Sequence, residues 1–458
     1  MGEGLTRRLF LRRAVGSGVG AGLVLLPSGR SARAYAANGK LNVALIGVGG
    51  RGRHFVEAMP KLENVVAFCD VNEKRGEAAL KAHPEMPKFR DFRVMLDKMG
   101  KEIDAVTVAV PDHSHAMASV TAMKAGKHVL CEKPLARTVH EARVMREIAQ
   151  RQKVATVMGN QGSAAASFRR GVEILEDGLM GEVRDVFSWN AWGGRSFKEC
   201  PSGKQKVPYY LNWDLWLGPA AYRDFHSKWM AWGHWRDFGT GQLGNWGSHA
   251  TFLAFIGMKV KALWSMPPEA GPRIRVRAEV SEINRLSFPT WEAVHFHVPA
   301  REKMPPVTFH WVNGAGAKKW RERIEQHLGR KLRWEEHQDG SGSLIVGARA
   351  VMLTSGHGSA HSFVRRDRSA RIPGGDPRRY PLAPDNDHDR DWLRYCRGGP
   401  PTIANFGNTG PYLEFLLLAN VATQFDAELE YDPLAGRIVN HAEADALLRP
   451  ERRKGWAL

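Results

Sequence analysis

The sequence predicts an α/β domain followed by an α+β domain, and three observations carry that prediction. Short apolar runs alternate with helical patterns between about residues 40 and 160, which means a parallel sheet with helices on both faces. A Gly-rich turn, Gly47-Val48-Gly49-Gly50-Arg51-Gly52, follows the first run directly and opens a helix through His54–Met59. Beyond residue 160 the strand-like segments change character. In Glu292–Val298, Val294, Phe296 and Val298 oppose His295 and His297, and Val307–Val312 alternates in the same way, as half-buried strands do.

Taken in order, the first segment is a leader. Thr6-Arg7-Arg8-Leu9-Phe10-Leu11 precedes a Gly-rich apolar run from Ala14 to Leu26, then Ala32-Arg33-Ala34 and Ala34-Tyr35-Ala36 as small-x-small cleavage options. This is the layout of a twin-arginine signal over residues 1–36. It predicts export to the periplasm by the twin-arginine translocation machinery, with any cofactor carried inside the folded chain and held tightly. The remainder divides into a first domain at 40–160 and a second at 161–458, because 458 residues exceed what one core serves.

Composition excludes several classes. With 43% hydrophobic and 25% charged residues the chain reads as globular, not disordered. No apolar run beyond the N-terminus is long enough to span a bilayer, so no stable membrane insertion is expected. The formal charge is +18, but the six arginines and one glutamate of residues 1–34 leave about +13 for the rest. Much of that lies in Lys318–Arg333 and Arg365–Arg379, interrupted by acidic residues and without a recognition motif, so no nucleic-acid partner is expected. Cys69, Cys131, Cys200 and Cys396 have neither metal-ligand spacing nor the pattern of a disulfide framework.

The first strand, Leu41–Ile46, delivers the G-x-G-x-x-G. Gly47 permits the tight turn, Gly49 the close approach of backbone to a pyrophosphate, and Gly52 close helix–strand packing. The second strand, Asn64–Cys69, ends at Asp70, eighteen residues past Gly52, where a carboxylate binds ribose hydroxyls and repels a 2′-phosphate. NAD is therefore favoured, while Arg51 and Arg53 keep NADP open. The alternation continues through Asp104–Val110, a helix near His115–Ala125, the strand His128–Cys131, the helix Val139–Gln152 and the strand Val154–Met158. Ligands gather at the carboxyl ends of such strands. That places Pro111-Asp112-His113, Glu132-Lys133-Pro134 and Asn160-Gln161 around one crevice. The dinucleotide contacts so expected are Gly47, Gly49, Gly50, Arg51, Gly52, Asp70, Pro111, His113, Glu132, Lys133 and Gln161.

At Glu132-Lys133-Pro134 the sequence resembles the glucose–fructose oxidoreductase and inositol dehydrogenase family (Gfo/Idh/MocA). Further matching segments are Cys69-Asp70-Val71-Asn72, Pro111-Asp112-His113-Ser114-His115, Gly126-Lys127-His128-Val129, Trp213-Asp214-Leu215-Trp216-Leu217-Gly218-Pro219, Gly244-Asn245-Trp246-Gly247-Ser248-His249 and Arg452-Arg453-Lys454-Gly455-Trp456. The resemblance implies a Rossmann domain, then a domain with an open, mostly antiparallel sheet whose face covers the nicotinamide. It also implies a homo-oligomer. In the family the Lys of Glu-Lys-Pro and the His of an Asp-x-x-x-His pattern carry the proton chemistry, which here are Lys133 and His249. Asn245 stands where the pattern has Asp, and Phe252 where many relatives have a carboxylate.

These residues suit the oxidation of a carbohydrate hydroxyl. A Lys near a cationic ring can have its pKa lowered, and a His titrates near neutrality. Asn245 can bond a sugar hydroxyl or orient His249 but cannot hold a counter-charge. Lys133, Trp235, Arg236, Asn245 and His249 are the expected substrate contacts. Eight of the fifteen Trp fall between Trp189 and Trp246, which suits sugar stacking or simple core packing. No metal is expected, since His113, His115, His234, His249 and His388 fit no ligand spacing. His388 is expected as a helix cap or surface group. Three activities stay open: NAD-dependent oxidation or reduction of a sugar, cyclitol or glycoside; redox-neutral glycoside cleavage by transient oxidation and elimination; and sugar binding without catalysis.

Overall fold

The computed structural model describes residues 39–314, 316, 318–333 and 340–458. The expected signal at 1–36 lies outside them. Residues Lys40–Leu458 form one compact unit that holds two sheets.

The first sheet has six parallel strands: β1 (Asn42–Ile46), β2 (Asn64–Cys69), β3 (Lys88–Phe89), β4 (Ala105–Val108), β5 (His128–Cys131) and β6 (Thr156–Met158). Their order is β3-β2-β1-β4-β5-β6, so the chain starts in the middle and winds outward twice, leaving a crevice where β1 and β4 part. Helices α1 (Arg53–Leu62), α2 (Glu73–Ala82), α3 (Phe92–Met99), α4 (Asp112–Lys124) and α5 (Val139–Gln152) connect the strands. Helix α4 begins at Asp112, three residues before the expected His115, because Pro111 is a favourable residue immediately ahead of a first turn. Helix α5 carries a full capping box, with Thr138 accepting from the Glu141 amide and Glu141 accepting from the Thr138 amide. Such a cap is worth about 1 kcal/mol.

The second sheet has nine strands: β7 (Val183–Asn190), β8 (Ile274–Val280), β9 (Glu292–Val298), β10 (Val307–Asn313), β11 (Ser341–Gly347), β12 (Ala350–Ser355), β13 (His361–Arg365), β14 (Leu429–Asp432) and β15 (Arg437–Ile438). The order is β13-β12-β11-β7-β10-β9-β8-β14-β15. Every neighbouring pair is antiparallel except β7 with β10. The half-buried reading of β9 needs correction. Val294, Phe296 and Val298 are buried as expected, but so is His295, and His297 is half-buried. Helix α9 (Lys318–Leu328), one of the elements beyond residue 160, lies on that face, and Trp320 covers the His295 and His310 rings.

The other α-helices of five or more residues beyond residue 160, among the described residues, are α6 (Ala166–Glu176), α7 (Trp213–Leu217), α8 (Phe252–Gly257), α10 (His388–Cys396), α11 (Phe406–Ala422) and α12 (Ala442–Leu447). Helix α11 joins the two sheets. It packs along α5, where Gly410 comes so close to Arg146 that a Cβ there would lie 2.6 Å from the arginine's Cβ. Its Phe415 ring lies against Phe296 and Phe309 of the second sheet. All four cysteines are free, and three are buried. No helix among the described residues is long and apolar enough to cross a membrane.

Candidate active site

The site is built at the carboxyl ends of β1, β2, β4 and β5. Gly47 has φ +84°, and a Cβ there would lie 2.2 Å from the Ala109 carbonyl oxygen. The turn therefore requires glycine. Gly52 packs equally closely on Gly47, which lets α1 start against the sheet. Asp70 at the end of β2 braces the same turn: Oδ2 accepts from the Val48 amide at 3.0 Å and Oδ1 from the Asn72 amide at 2.8 Å. Burial raises the Asp70 pKa, and those backbone donors oppose the rise.

A cleft of roughly 370 Å³ runs from Asp70, Arg75, Arg90 and Phe92 past Gly49, Gly50 and Pro111 to Glu132, Lys133, Trp232 and Asn245. A second cavity of roughly 270 Å³ adjoins it and is lined by His234, Gln242 and Gly194, among others. The two share Asp112, Lys133, Trp232 and Asn245. The Lys133 amine thus stands at the junction. It donates to the Asn245 side-chain oxygen at 2.7 Å and to the Asn245 carbonyl oxygen at 3.0 Å. Asn245 lies in a π-helical stretch, Leu243–Gly247, a wider turn of the kind that recurs at functional sites. Burial lowers the Lys133 pKa; Glu132 and Asp112 oppose that shift and Arg51 adds to it. Asn245 therefore orients Lys133 and not His249.

Glu132 is the hub beside this lysine. Its Oε1 accepts from Arg51 Nε at 2.7 Å and Gln161 Nε2 at 3.2 Å, while Oε2 accepts from the Lys133 amide. Arg51 thus faces the β5 end, and two further cations line the cleft, Arg75, whose charge acts on Asp70, and Arg90, both of which sequence reasoning missed. Asp112 is buried and accepts from the Thr240 hydroxyl at 2.6 Å; burial raises its pKa. His249 is also buried, and burial depresses its pKa well below the usual value, with Lys133, His357, Arg51 and His388 acting in the same direction.

Several expected contacts fall elsewhere. His113 is fully buried with its ring between Trp216 and Phe238, its Nε2 2.8 Å from the Trp216 carbonyl. Burial lowers its pKa to about 4, so it clamps two loops as a neutral ring. Trp235 is buried in an aromatic cluster with Trp229 and Phe197, and its indole N–H goes to the Lys228 carbonyl. Arg236 is buried with its donors on Asn284, Ser287, Asn420 and Thr423. Neither lines either cavity. His388 is not a cap: Asp387 caps α10, and His388 is buried with Nε2 3.0 Å from the Met158 carbonyl. The Trp-rich window divides, since Trp189, Trp213, Trp216, Trp229 and Trp235 are core while Trp192, Trp232 and Trp246 keep exposed surface. Among the described residues no cluster of metal-ligating side chains occurs. His357, whose ring lies against His249, was missed because it arrives from a distant hairpin with no motif around it.

Comparison with known proteins fits this geometry. Residues 41–160 match the family model described as "Oxidoreductase family, NAD-binding Rossmann fold". A glycosyl hydrolase family 109 protein of Saccharopolyspora erythraea is 28% identical over 264 residues, 48% of this chain and 55% of the relative. Levoglucosan dehydrogenase of Pseudarthrobacter phenanthrenivorans is 27% identical over 31% of this chain and 39% of its own length. Inositol 2-dehydrogenase 1 of Saccharopolyspora erythraea is 37% identical over 21% and 30%. The chain thus spans between about a third and about half of the curated relatives it matches. Among solved structures, the WlbA dehydrogenase of Bordetella pertussis in complex with NADH and UDP-GlcNAcA superposes with TM-score 0.56 at 16% identity, covering 85% of this chain and 98% of that one. Levoglucosan dehydrogenase in complex with NADH and levoglucosan gives 0.53 at 16% identity, covering 85% and 99%. The shared fold is thereby defined across both sheets.

Proposed function

We propose, from the match of residues 41–160 to the NAD-binding Rossmann fold of the Gfo/Idh/MocA oxidoreductases, that this chain oxidises or reduces a hydroxyl of a sugar, cyclitol or glycoside, using NAD that stays bound. The cleft fits a dinucleotide. Gly50 lines the cleft with φ +53°, a Cβ there lying 3.9 Å from the Arg75 guanidinium, the amides of the Gly-rich turn and the start of α1 suit a pyrophosphate, and Asp70 and Arg75 line the same cleft as Lys133. Bound NAD supplies the acceptor for the hydride that leaves the substrate carbon. The side chains do the rest: Lys133 takes the hydroxyl proton, Asn245 aims the amine, and Asp112, Glu132 and Arg51 set the local charge.

The observation that supports this reading best is the position of the Lys133 amine where the two cavities meet, held by two neutral acceptors of Asn245. Two neutral partners fix the amine without fixing its proton. In this reading residues 161–458 supply the sugar side, NAD is preferred over NADP, and residues 1–36 direct export of the folded, loaded oligomer by the twin-arginine route. Alignment with the family 109 glycosyl hydrolase protein favours a second reading, redox-neutral cleavage of a glycoside at the same site.

The test is made on chain purified without added cofactor. It is denatured and the released dinucleotide identified, and loaded chain is offered a sugar and glycoside panel while the reduced nicotinamide is followed. Stoichiometric NAD that is reduced by a sugar is the expected result. Aglycone release without net reduction selects the second reading. A chain that neither carries nor binds NAD or NADP overturns both and leaves sugar binding without catalysis.

A further inference from the structure

His249 is secured through its backbone and not through its ring. The carbonyls on either side of it accept from Asn160 Nδ2 at Ser248 and from Ser343 Oγ at Ala250, and the Tyr412 hydroxyl reaches the Gly247 and Ser248 carbonyls. The imidazole Nδ1, by contrast, is buried without a hydrogen-bond partner. What touches the ring is aromatic. His357 lies flat on it, with centroids 4.4 Å apart and planes within 7°, and Trp246 meets it edge-on at 6.5 Å.

His357 reaches this place on a turn that is tightly specified. The turn joins β12 to β13; the Gly358 amide donates to the Ser355 carbonyl at 2.8 Å, the Ser355 amide to the Ala360 carbonyl at 2.9 Å, and Gly358 has φ +67°. Its tip presses on Gly162, where a Cβ would lie 1.9 Å from the His357 carbonyl oxygen, and the Ser167 hydroxyl donates to the Ser359 carbonyl. The backbone that delivers His357 is thus fixed from both sides, while the ring itself stays exposed. An exposed ring lying flat on a buried one covers the buried ring's outer face.

We propose that His357 is a positioning residue of this site, holding the His249 imidazole flat beside Lys133 by stacking, in place of the hydrogen-bonded partner that Nδ1 lacks. This rests on the oxidoreductase reading for its catalytic consequence but not for its structural one. The groups facing His249 are Lys133, Arg51, His357 and His388, all of which disfavour a charged imidazole. A second cation stacked 4.4 Å away adds to that, so the pair carries at most one charge. Removing the His357 ring opens His249 to water and relieves the burial that depresses it. His249 then titrates closer to an ordinary histidine.

The experiment compares His357→Ala with His357→Phe in the full chain, loaded with NAD. Ring-labelled histidine is followed by NMR against pH, with His249 assigned from His249→Gln. In the parent and in His357→Phe, His249 titrates well below an ordinary histidine; in His357→Ala its midpoint rises by roughly one unit or more. With a sugar found in the panel above, kcat falls about tenfold in His357→Ala and is restored in His357→Phe, with NAD affinity unchanged. An His249 titration identical in parent, Ala and Phe chains overturns the proposal, as does one near pH 6.5 in the parent. Both readings come from the NMR alone, so failure of the oxidoreductase reading is seen separately, as absence of turnover.

Discussion

Two carboxylates in this molecule each gather arginine, and they do so to opposite ends. Glu414, on α11, is fully buried. Its Oε2 accepts from Arg143 at 2.6 Å, Tyr431 at 2.7 Å and Trp264 at 3.0 Å, and Arg146 stands 3.2 Å from Oε1. Arg143 spends further donors on the Pro433 and Leu434 carbonyls. Glu132 pairs with Arg51, which is 44% exposed, and lines the cleft together with Lys133; among the described residues His249 Nδ1, whose ring feels the Lys133 and Arg51 charges, is buried without a partner. Glu414 is enclosed between helices and strands, with its Oε1 near Arg146 but without a hydrogen bond; Glu132 has both oxygens bonded and opens on a cavity, where a ligand can reach its neighbours.

The sharpest break of this comparison is Lys133→Met. If the cluster beside the cavity exists for chemistry, turnover falls about 10³-fold or more while the denaturation midpoint is unchanged, which steady-state kinetics and urea titration measure side by side. A loss of stability with turnover intact would reverse the roles assigned to the two regions. The matching change at the other pole is Glu414→Gln, which leaves two half-buried guanidinium groups short of a counter-charge. Unfolding free energy should drop by about 3 kcal/mol, with kcat per folded molecule unaltered.

The same contrast explains what the sequence could disclose. Five of the six strands of the first sheet were readable because each is an apolar run bounded by turn residues, and α5 starts at its Thr138 cap; β3, two residues long and not apolar, carries no such signal. Lys133 and Glu132 were readable because their motif follows directly on β5, and Asn245 because it stands four residues before His249 in the matching segment, which folds as a π-helical turn. Arg236 and Trp235 misled for a physical reason. Polar and aromatic residues next to a catalytic segment look like ligand contacts, and whether their donors are already consumed by Asn284, Ser287 and Asn420 is decided by loops far away in sequence. His113 failed likewise, through the Trp216 and Phe238 carbonyls. His357 had no local signal, because stacking between distant hairpins leaves none.

Asn245→Asp tests how the site keeps its lysine ready. An aspartate 2.7 Å from the amine favours the ammonium, so the Lys133 pKa rises by roughly 1–2 units. If Lys133 is the base, the rise of kcat with pH moves alkaline by the same amount, and the rate at neutral pH drops. Stability responds in the other direction. In the parent the depressed lysine destabilises the fold below its own pKa, where it must be charged while buried. A counter-charge relieves that, so the Asp chain unfolds later at neutral pH. A pH–rate profile and a melting curve moving in opposite senses are the expected pair; both falling together would point to simple damage.

The smallest expected effect lies between the two regions. His54 on α1 meets Asp389 on α10 at 2.8 Å, with the histidine 40% exposed. The Asp389 hydrogen bond raises the His54 pKa above 6.5, against the opposing effect of burial. A raised folded-state pKa means that the pair's contribution is fully present below about pH 6.5 and is lost as pH rises through the folded value. Solvent screening at a partly exposed site keeps it under about 1 kcal/mol. His54→Gln retains a hydrogen-bond donor without the charge, so parent and variant should differ in urea midpoint at pH 5.5 and converge by about pH 8.5. A gap that persists at the alkaline end would mean that shape, not charge, holds α1 to α10. His54 would then belong with the structural contacts of Glu414 and not with the cluster around Glu132.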